Sequence, residues 1–179
     1  MRPRLLGVFD RLDLIEWQFC QRATRLSLFR PWRLTLQAAS KLGDWPVWVA
    51  LIIAQPWLVP DGGLRLMQYT VTALVAIGVY RLVKTRLCRE RPFITYCGGI
   101  QCSEPARDRY SFPSGHTMHA VMFTLLVAAH TPWLLPLVVP LAVLIAISRV
   151  GLGLHYVSDV LAGAAMGYGF ALLSLAILG

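Results

Sequence analysis

The side chains best suited to chemistry are two histidines, an aspartate and an arginine near the ends of apolar segments. Arg149, His155 and Asp159 lie close together in the sequence, and His116 follows a short Pro-Ser-Gly segment. Because His155 and Asp159 are four positions apart, the start of a helix would place them on one face. Asp159 can then hold the imidazole of His155 in the tautomer that exposes a nucleophilic nitrogen, and His116 is a further proton donor. This pattern predicts nucleophilic chemistry at His155.

A second group of residues suits the binding of a phosphate. Lys84, Arg91 and Arg149 supply three cationic donors, and a guanidinium group matches two phosphate oxygens at once. Ser114 offers a hydroxyl group. Gly115 lets the backbone approach closely, and the N–H groups at the start of the following helix form an anion site. Together these residues predict a site for one phosphoryl group.

The composition indicates which elements position these residues. Of the 179 residues, 56% are hydrophobic and 15% are charged, and the mean hydropathy is +0.58. Soluble domains are about 45–50% apolar and about 25% charged, so the composition argues against a soluble domain and against disorder. Between residues 111 and 179 the only Lys, Arg, Asp or Glu residues are Arg149 and Asp159. Because an ionised side chain in hydrocarbon is energetically costly, such residues are retained mainly where they have a function, and both are candidate site residues.

The apolar segments predict a single all-α integral membrane domain, a helical bundle of about five transmembrane helices. Residues 45–179 form the predicted transmembrane catalytic bundle. Residues 1–44 carry helically spaced apolar side chains among eight basic ones, which predicts interfacial amphipathic helices separated near Pro31. Gly163 and Gly167 favour close helix packing within the chain. The predicted spans cover about 45–58, 66–83, 115–131, 137–148 and 157–178.

The direction of the spans brings the candidate residues together. Consecutive spans alternate in direction, so the end of the second, the start of the third, the end of the fourth and the start of the fifth share one face of the membrane. The polar segment from Lys84 to Phe112 lies on that face. Arg149 and Asp159, the two isolated charges, therefore meet the basic loop.

Three motifs in this order resemble the signatures of the type 2 phosphatidic acid phosphatase (PAP2) superfamily. They are K-x6-RP at residues 84–92, PSGH at residues 113–116, and SR-x5-H-x3-D at residues 148–159. All three match without a departure, and the pattern of spans extends the resemblance over most of residues 45–179.

The resemblance implies a role for each candidate residue. His155 would attack phosphorus and form a phosphohistidine, with Asp159 orienting its ring. His116 would protonate the leaving oxygen and then activate water. The resemblance implies no metal and no other cofactor, and the sequence has no acidic cluster typical of Mg²⁺ and no zinc-like Cys/His spacing. The residues that would hold the phosphoryl oxygens are Lys84, Arg91, Ser114, Gly115 and Arg149.

The substrate is expected to be a lipid phosphate, because the site lies at the membrane surface among apolar helices. One class is a polyprenyl pyrophosphate such as undecaprenyl pyrophosphate, slightly favoured by the compact size. The other is a glycerophospholipid such as phosphatidic acid or phosphatidylglycerol phosphate. The alternatives are phosphoryl transfer to a second lipid, a vanadate-dependent haloperoxidase, which the membrane spans argue against, and a membrane transporter or structural protein.

The net charge of +8 fits anionic lipid head groups or a phosphorylated substrate, and no basic run suits nucleic acid. Arg86, Arg89, Arg107 and Arg109 either guide an anionic head group or are solvated or lipid-facing charges. The sequence does not indicate an oligomeric state.

Two arguments about orientation conflict. The positive-inside rule would make the basic face cytoplasmic. However, phosphate binding already explains several of those charges, and the resemblance implies a site that faces the periplasm of a bacterial inner membrane. We expect the outward orientation. A disulfide between Cys97 and Cys102, which lie in the polar loop, would fit an oxidising compartment; two unpaired thiols are the alternative.

Overall fold

The computed structural model describes residues 6–96, 99–100, 102, 104–106 and 108–178, with side chains from residue 9 onward. Within these residues there are eight α-helices, one short 3₁₀-helix and no strand, apart from an isolated antiparallel bridge between Glu90 and Tyr110. The helices are α1 (Leu6–Leu26), α2 (Arg30–Leu42), α3 (Trp45–Leu58), α4 (Gly62–Leu87), α5 (Pro92–Thr95), α6 (Gly115–His130), the 3₁₀-helix (Pro132–Leu134), α7 (Leu135–Gly151) and α8 (Val157–Leu178).

The expected all-α membrane bundle is confirmed. In the described part of the chain, three helical segments are long and apolar enough to cross a membrane: Gly62–Leu87, Pro132–Gly151 and Val157–Leu178. The other two predicted spans, α3 and α6, are shorter, with 14 and 16 residues. Helix α6 lies at the centre of the bundle against α4, α7 and α8, so much of its surface contacts protein and not lipid. This position explains why α6 can carry three histidines.

Glycines on α8 bring it close to α6. A Cβ atom at Gly163 would lie 2.3 Å from the carbonyl oxygen of Ser114, and one at Gly167 would lie 2.3 Å from that of Met118. The two glycines therefore mediate packing within the chain, as the sequence predicts. This contact sets the first turn of α8 beside the first turn of α6.

The N-terminal helices lie against the end of the bundle that carries the motifs. The two helices are separated close to Pro31 but just before it: α1 ends at Leu26 and α2 begins at Arg30, so Pro31 lies in the first turn of α2. Helix α1 turns its apolar side outward: Ile15 is 75% exposed and Phe19 is 59% exposed. Its polar side faces inward, where Asp13 is only 8% exposed. Helix α2 packs on α7 and buries Ser40 completely.

Candidate active site

A cavity of about 460 Å³ opens at the end of the bundle where the three motifs meet. Ser114 and Asp159 are fully buried and do not line it. Glu104, Asp108, Tyr80 and Asp44, which the motifs do not include, also line its wall. The candidate residues that line the cavity are Lys84, Arg91, Gly115, His116, Arg149 and His155.

Two of the cationic side chains hold a carboxylate. Lys84 Nζ lies 2.9 Å from Asp108 Oδ2, and Arg91 Nη2 lies 3.0 Å from Asp108 Oδ1. Burial raises the pKa of Asp108, but the hydrogen bond and charge of Lys84, together with Arg91, outweigh burial and lower it. Asp108 therefore places two anionic oxygens between the cations, as a phosphate would. Tyr80 also accepts a hydrogen bond from Lys84 Nζ at 2.8 Å.

Arg149 also lines the cavity and is buried, with 5% of its surface exposed. Its Nη1 atom donates to Ser40 Oγ of α2 at 2.6 Å. Its buried Nε atom has no hydrogen-bond partner among the residues that the structure describes. A buried guanidinium donor beside a cavity can bind an incoming phosphate oxygen without breaking an existing bond.

His155 directs its Nε2 atom toward the cationic residues. This atom lies 3.3 Å from Arg91 Nη1, and the backbone N–H of His155 donates to the carbonyl oxygen of Arg149. Burial lowers the pKa of His155 well below its ordinary value, and the charges of Arg149, Arg91 and Lys84 lower it further. The imidazole is therefore neutral at pH 7 and available as a nucleophile.

The relation between His155 and Asp159 differs in detail from the sequence expectation. His155 precedes α8, which begins at Val157, and does not lie on the helix. Its Nδ1 atom is 3.6 Å from Asp159 Oδ2, and this buried atom has no hydrogen-bond partner in the described residues. The carboxylate accepts instead from the backbone N–H of Tyr156 at 2.8 Å and from Arg89 Nη1 at 2.6 Å. Asp159 thus faces the ring of His155 without a short hydrogen bond.

Arg89 is neither a head-group guide nor a solvated or lipid-facing charge. Only 1% of its side chain is exposed, and it binds acidic side chains. Arg109, another of the four arginines considered as head-group guides, is 66% exposed and pairs with Glu90. Arg107 lies outside the described residues.

His116 has an acidic partner that sequence reasoning missed. Its Nε2 atom lies 2.9 Å from Asp44 Oδ1. Asp44 directly precedes α3, where an aspartate reads as an ordinary helix N-cap. Only the fold, in which the turn between α2 and α3 contacts the start of α6, identifies it as a contact of the second histidine.

Ser114 and Gly115 form the start of α6. Ser114 Oγ accepts from the backbone N–H of Thr117, and its own N–H donates to the carbonyl oxygen of Asp159 at 3.0 Å. A Cβ atom on Gly115 would lie 2.9 Å from Cζ of Tyr80. Gly115 therefore leaves room for the ring of Tyr80, the residue that contacts Lys84.

The expected disulfide stays a prediction. Cys97 lies outside the described residues. Cys102 has an exposed thiol that donates to the carbonyl oxygen of Glu104 at 2.8 Å. In the described part of the chain, no group of three His, Cys, Asp or Glu side chains is arranged to hold a metal ion.

Comparison with known sequences identifies relatives of this chain. The model of the PAP2 superfamily matches residues 65–179. Over 111 residues the chain is 35% identical to decaprenylphosphoryl-5-phosphoribose phosphatase of Mycobacterium tuberculosis, covering 62% of this chain and 55% of that protein. Over 118 residues it is 33% identical to undecaprenyl-diphosphatase of Sulfolobus acidocaldarius, covering 64% and 54%. The chain spans about half the length of these relatives.

Two crystal structures share the fold. One is the transmembrane PAP2-type phosphatidylglycerolphosphate phosphatase of Bacillus subtilis, with a TM-score of 0.68 and 24% identity over 97% of this chain and 94% of that one. The other is LpxE of Aquifex aeolicus, with a TM-score of 0.79 and 19% identity over 90% and 95%. With three membrane-length helices, the three motifs around one cavity and a family match over residues 65–179, the chain is an integral membrane protein that belongs to the PAP2 superfamily.

Proposed function

We propose that the protein is a membrane lipid phosphatase that hydrolyses a phosphomonoester or pyrophosphate through a phosphohistidine intermediate. The observation that carries this proposal is that His155 lines the cavity with its Nε2 atom beside Arg91, while Lys84 and Arg149 line the same cavity. A neutral imidazole among three cations suits attack on an anionic phosphorus, because the cations attract the phosphate and the ring keeps its lone pair.

The first step transfers the phosphoryl group to the protein. His155 Nε2 forms a bond to phosphorus, and the bond from phosphorus to the leaving oxygen breaks. His116 gives its proton to that oxygen. The nearby carboxylate of Asp44 supports this role, because its hydrogen bond with Nε2 holds the imidazole in place.

The second step releases inorganic phosphate. His116, now neutral, takes a proton from water, the water oxygen bonds to phosphorus, and the bond from phosphorus to His155 breaks. Lys84, Arg91 and Arg149 stabilise the charge on the phosphoryl oxygens in both transition states. Ser114 and Gly115 shape the backbone beside them.

The favoured substrate is a polyprenyl pyrophosphate such as undecaprenyl pyrophosphate. In support, both curated relatives are named for polyprenyl phosphate substrates. A glycerophospholipid such as phosphatidic acid or phosphatidylglycerol phosphate is the second candidate. Transfer of the phosphoryl group to a second lipid is the alternative reaction at the same site, and it would release no inorganic phosphate.

We also propose a location for the protein: a bacterial inner membrane, with the site open to the periplasm. The exposed apolar side of α1, including Ile15 and Phe19, would lie in the lipid interface, and its exposed arginines would contact anionic head groups.

The test is phosphate release by the purified full-length protein from a panel of these lipids, with EDTA present. We expect release to persist in EDTA and to fall at least about 10³-fold in His155→Ala, since the nucleophile is lost. His130→Ala is the matched control, because His130 ends the same helix as His116 but lies far from the cavity. Full activity of His155→Ala, or no release from any lipid of the panel, would contradict the proposal.

A further inference from the structure

Arg89 is a buried cation whose acidic partners lie outside the cavity. It lies within the first motif, between Lys84 and Arg91, yet it does not line the cavity. Its guanidinium packs on Tyr156, with Cζ 4.0 Å from the ring centre, and Phe9 of α1 lies 5.0 Å away. An arginine enclosed in this way has a structural or electrostatic task.

The hydrogen bonds of Arg89 join α1 to the start of α8. Its Nε and Nη2 atoms donate to Asp13 Oδ1 of α1 at 2.9 and 2.6 Å. Its Nη1 atom donates to Asp159 Oδ1 of α8 at 2.6 Å, and also to Ser158 Oγ at 2.6 Å. Arg89 therefore ties the carboxylate that faces His155 to the N-terminal helix.

A second acidic residue of α1 strengthens this connection. Glu16 Oε1 accepts from the backbone N–H of Ser158, and Glu16 Oε2 accepts from the hydroxyl of the same residue. Glu16 Oε2 is also 3.3 Å from Arg89 Nη2. A carboxylate at free N–H groups of the first turn stabilises a helix start, so Glu16 fixes the beginning of α8.

The charges explain why Asp159 needs this arrangement. Asp159 is fully buried, and an unpaired carboxylate in such a place is costly or becomes protonated. Burial lowers the pKa of Arg89, but Asp159, Asp13 and Glu16 outweigh burial and raise it, so the guanidinium stays charged. The pairing keeps Oδ2 of Asp159 directed toward His155 Nδ1, at 3.6 Å.

We propose that helix α1 completes the active site: Asp13 and Glu16 hold Arg89, and Arg89 is a positioning residue that fixes Asp159 and, through it, the ring of His155. The inference rests on the proposed function, because it gives Arg89 a role in the reaction that we propose for His155. It predicts a loss in turnover without a loss in phosphate affinity, because Lys84, Arg91 and Arg149 are not altered.

The experiment compares Arg89→Met, Arg89→Lys and Asp13→Asn in the full-length protein. In Arg89→Met we expect kcat to fall about 100-fold, the size expected when a reacting group is misplaced by about 1 Å. The inhibition constant of inorganic phosphate should stay within about threefold. Arg89→Lys keeps the charge but cannot reach both carboxylates, so its kcat should be about tenfold higher than that of Arg89→Met. Asp13→Asn should lower kcat about tenfold.

Asp10→Asn is the matched control, because Asp10 is an exposed acidic residue on the same helix, and its kcat should equal that of the wild type. Gel filtration and thermal unfolding check that each variant is folded. If Arg89→Met does not fold, Asp13→Asn and Arg89→Lys decide the question.

Three outcomes would overturn the inference. Full activity of folded Arg89→Met would show that Asp159 needs no such partner. A parallel rise in the inhibition constant of phosphate, with no rescue by Lys, would indicate general collapse of the site. A wild-type protein that releases no phosphate would overturn the proposed function and this inference with it, whereas the first two outcomes leave that function intact.

Discussion

At the scale of single residues, Asp108 shows how the cavity balances its charge. Its carboxylate lies between Lys84 and Arg91, so a substrate phosphate must displace it. Asp108 is 44% exposed, and an exposed ion pair contributes about 0.2–1 kcal/mol. The competition is therefore weak. Until substrate enters, the carboxylate of Asp108 keeps the two cations apart and oriented.

This competition leads to a prediction for Asp108→Asn. The amide keeps the size of the side chain and removes its charge, so inorganic phosphate should bind about two- to fivefold more tightly, as the energy of one exposed pair allows. The measurement is the inhibition constant of phosphate in the lipid phosphatase assay. Glu90→Gln is the control, since Glu90 pairs with Arg109 outside the cavity. Unchanged or weaker phosphate binding in Asp108→Asn would show that Asp108 does not compete with the substrate.

At the scale of elements, the site depends on the contact between α6 and α8. These helices carry Ser114 and Asp159, and the backbone N–H of Ser114 donates to the carbonyl oxygen of Asp159. Gly163 and Gly167 allow this approach, because a Cβ at either would meet the backbone of α6 at 2.3 Å. A side chain here must move a helix, since backbone atoms cannot give way as a flexible side chain can.

We therefore expect Gly167→Leu to lower both thermal stability and activity. The leucine would push α8 from Met118, at an overpacking cost of about 1–3 kcal/mol or more. The first turns of α6 and α8, and with them the site, would separate. Gly169→Leu is the matched control, because a Cβ at Gly169 meets nothing within 4 Å. The two variants are compared by thermal unfolding and phosphate release, and equal behaviour of both would contradict the packing argument.

Much of the architecture could be predicted from the sequence because its signals are local. Apolar runs, prolines and glycines indicate where helices begin and end, and α3 and α8 have the expected bounds. The alternation of span directions brings the three motifs together. Motif spacing predicts six residues of the cavity lining, because it fixes residue type and position at the same time, whereas Glu104 and Asp108 line the cavity without belonging to a motif.

The partners of these residues could not be predicted, because they depend on contacts between distant segments. Periodicity indicates that α1 has an apolar side, but not what its polar side touches, so the contact of Asp13 with Arg89 carries no sequence signal. The same holds for Ser40 with Arg149 and for Asp44, which resembles an ordinary helix cap. These contacts come from the helices predicted to be only interfacial.

At the scale of the whole molecule, burial changes which charges count in the positive-inside rule. Lys84, Arg89 and Arg91 are 7%, 1% and 3% exposed, so they serve the interior and say little about topology. Arg109 is neutralised by Glu90. The basic residues that remain on this face belong mainly to α1 and α2, where they can bind anionic lipid in either leaflet. The basic residues of the loop beside the cavity therefore support a cytoplasmic site less than a simple count of them would indicate.

The proposed outward orientation can be tested by cysteine labelling in intact bacterial cells. The background is a variant that lacks the four native cysteines and retains phosphatase activity. In this background, Arg109→Cys should react with an impermeant maleimide before the cytoplasmic membrane is permeabilised, because position 109 is 66% exposed at the cavity end. Trp133→Cys is the control for the other side: Trp133 lies in the short turn between α6 and α7 and is 63% exposed. It should react only after permeabilisation, because α6 carries the chain from the cavity face to the opposite face. The reverse pattern would place the site in the cytoplasm and require the lipid phosphate to be presented from the inner leaflet.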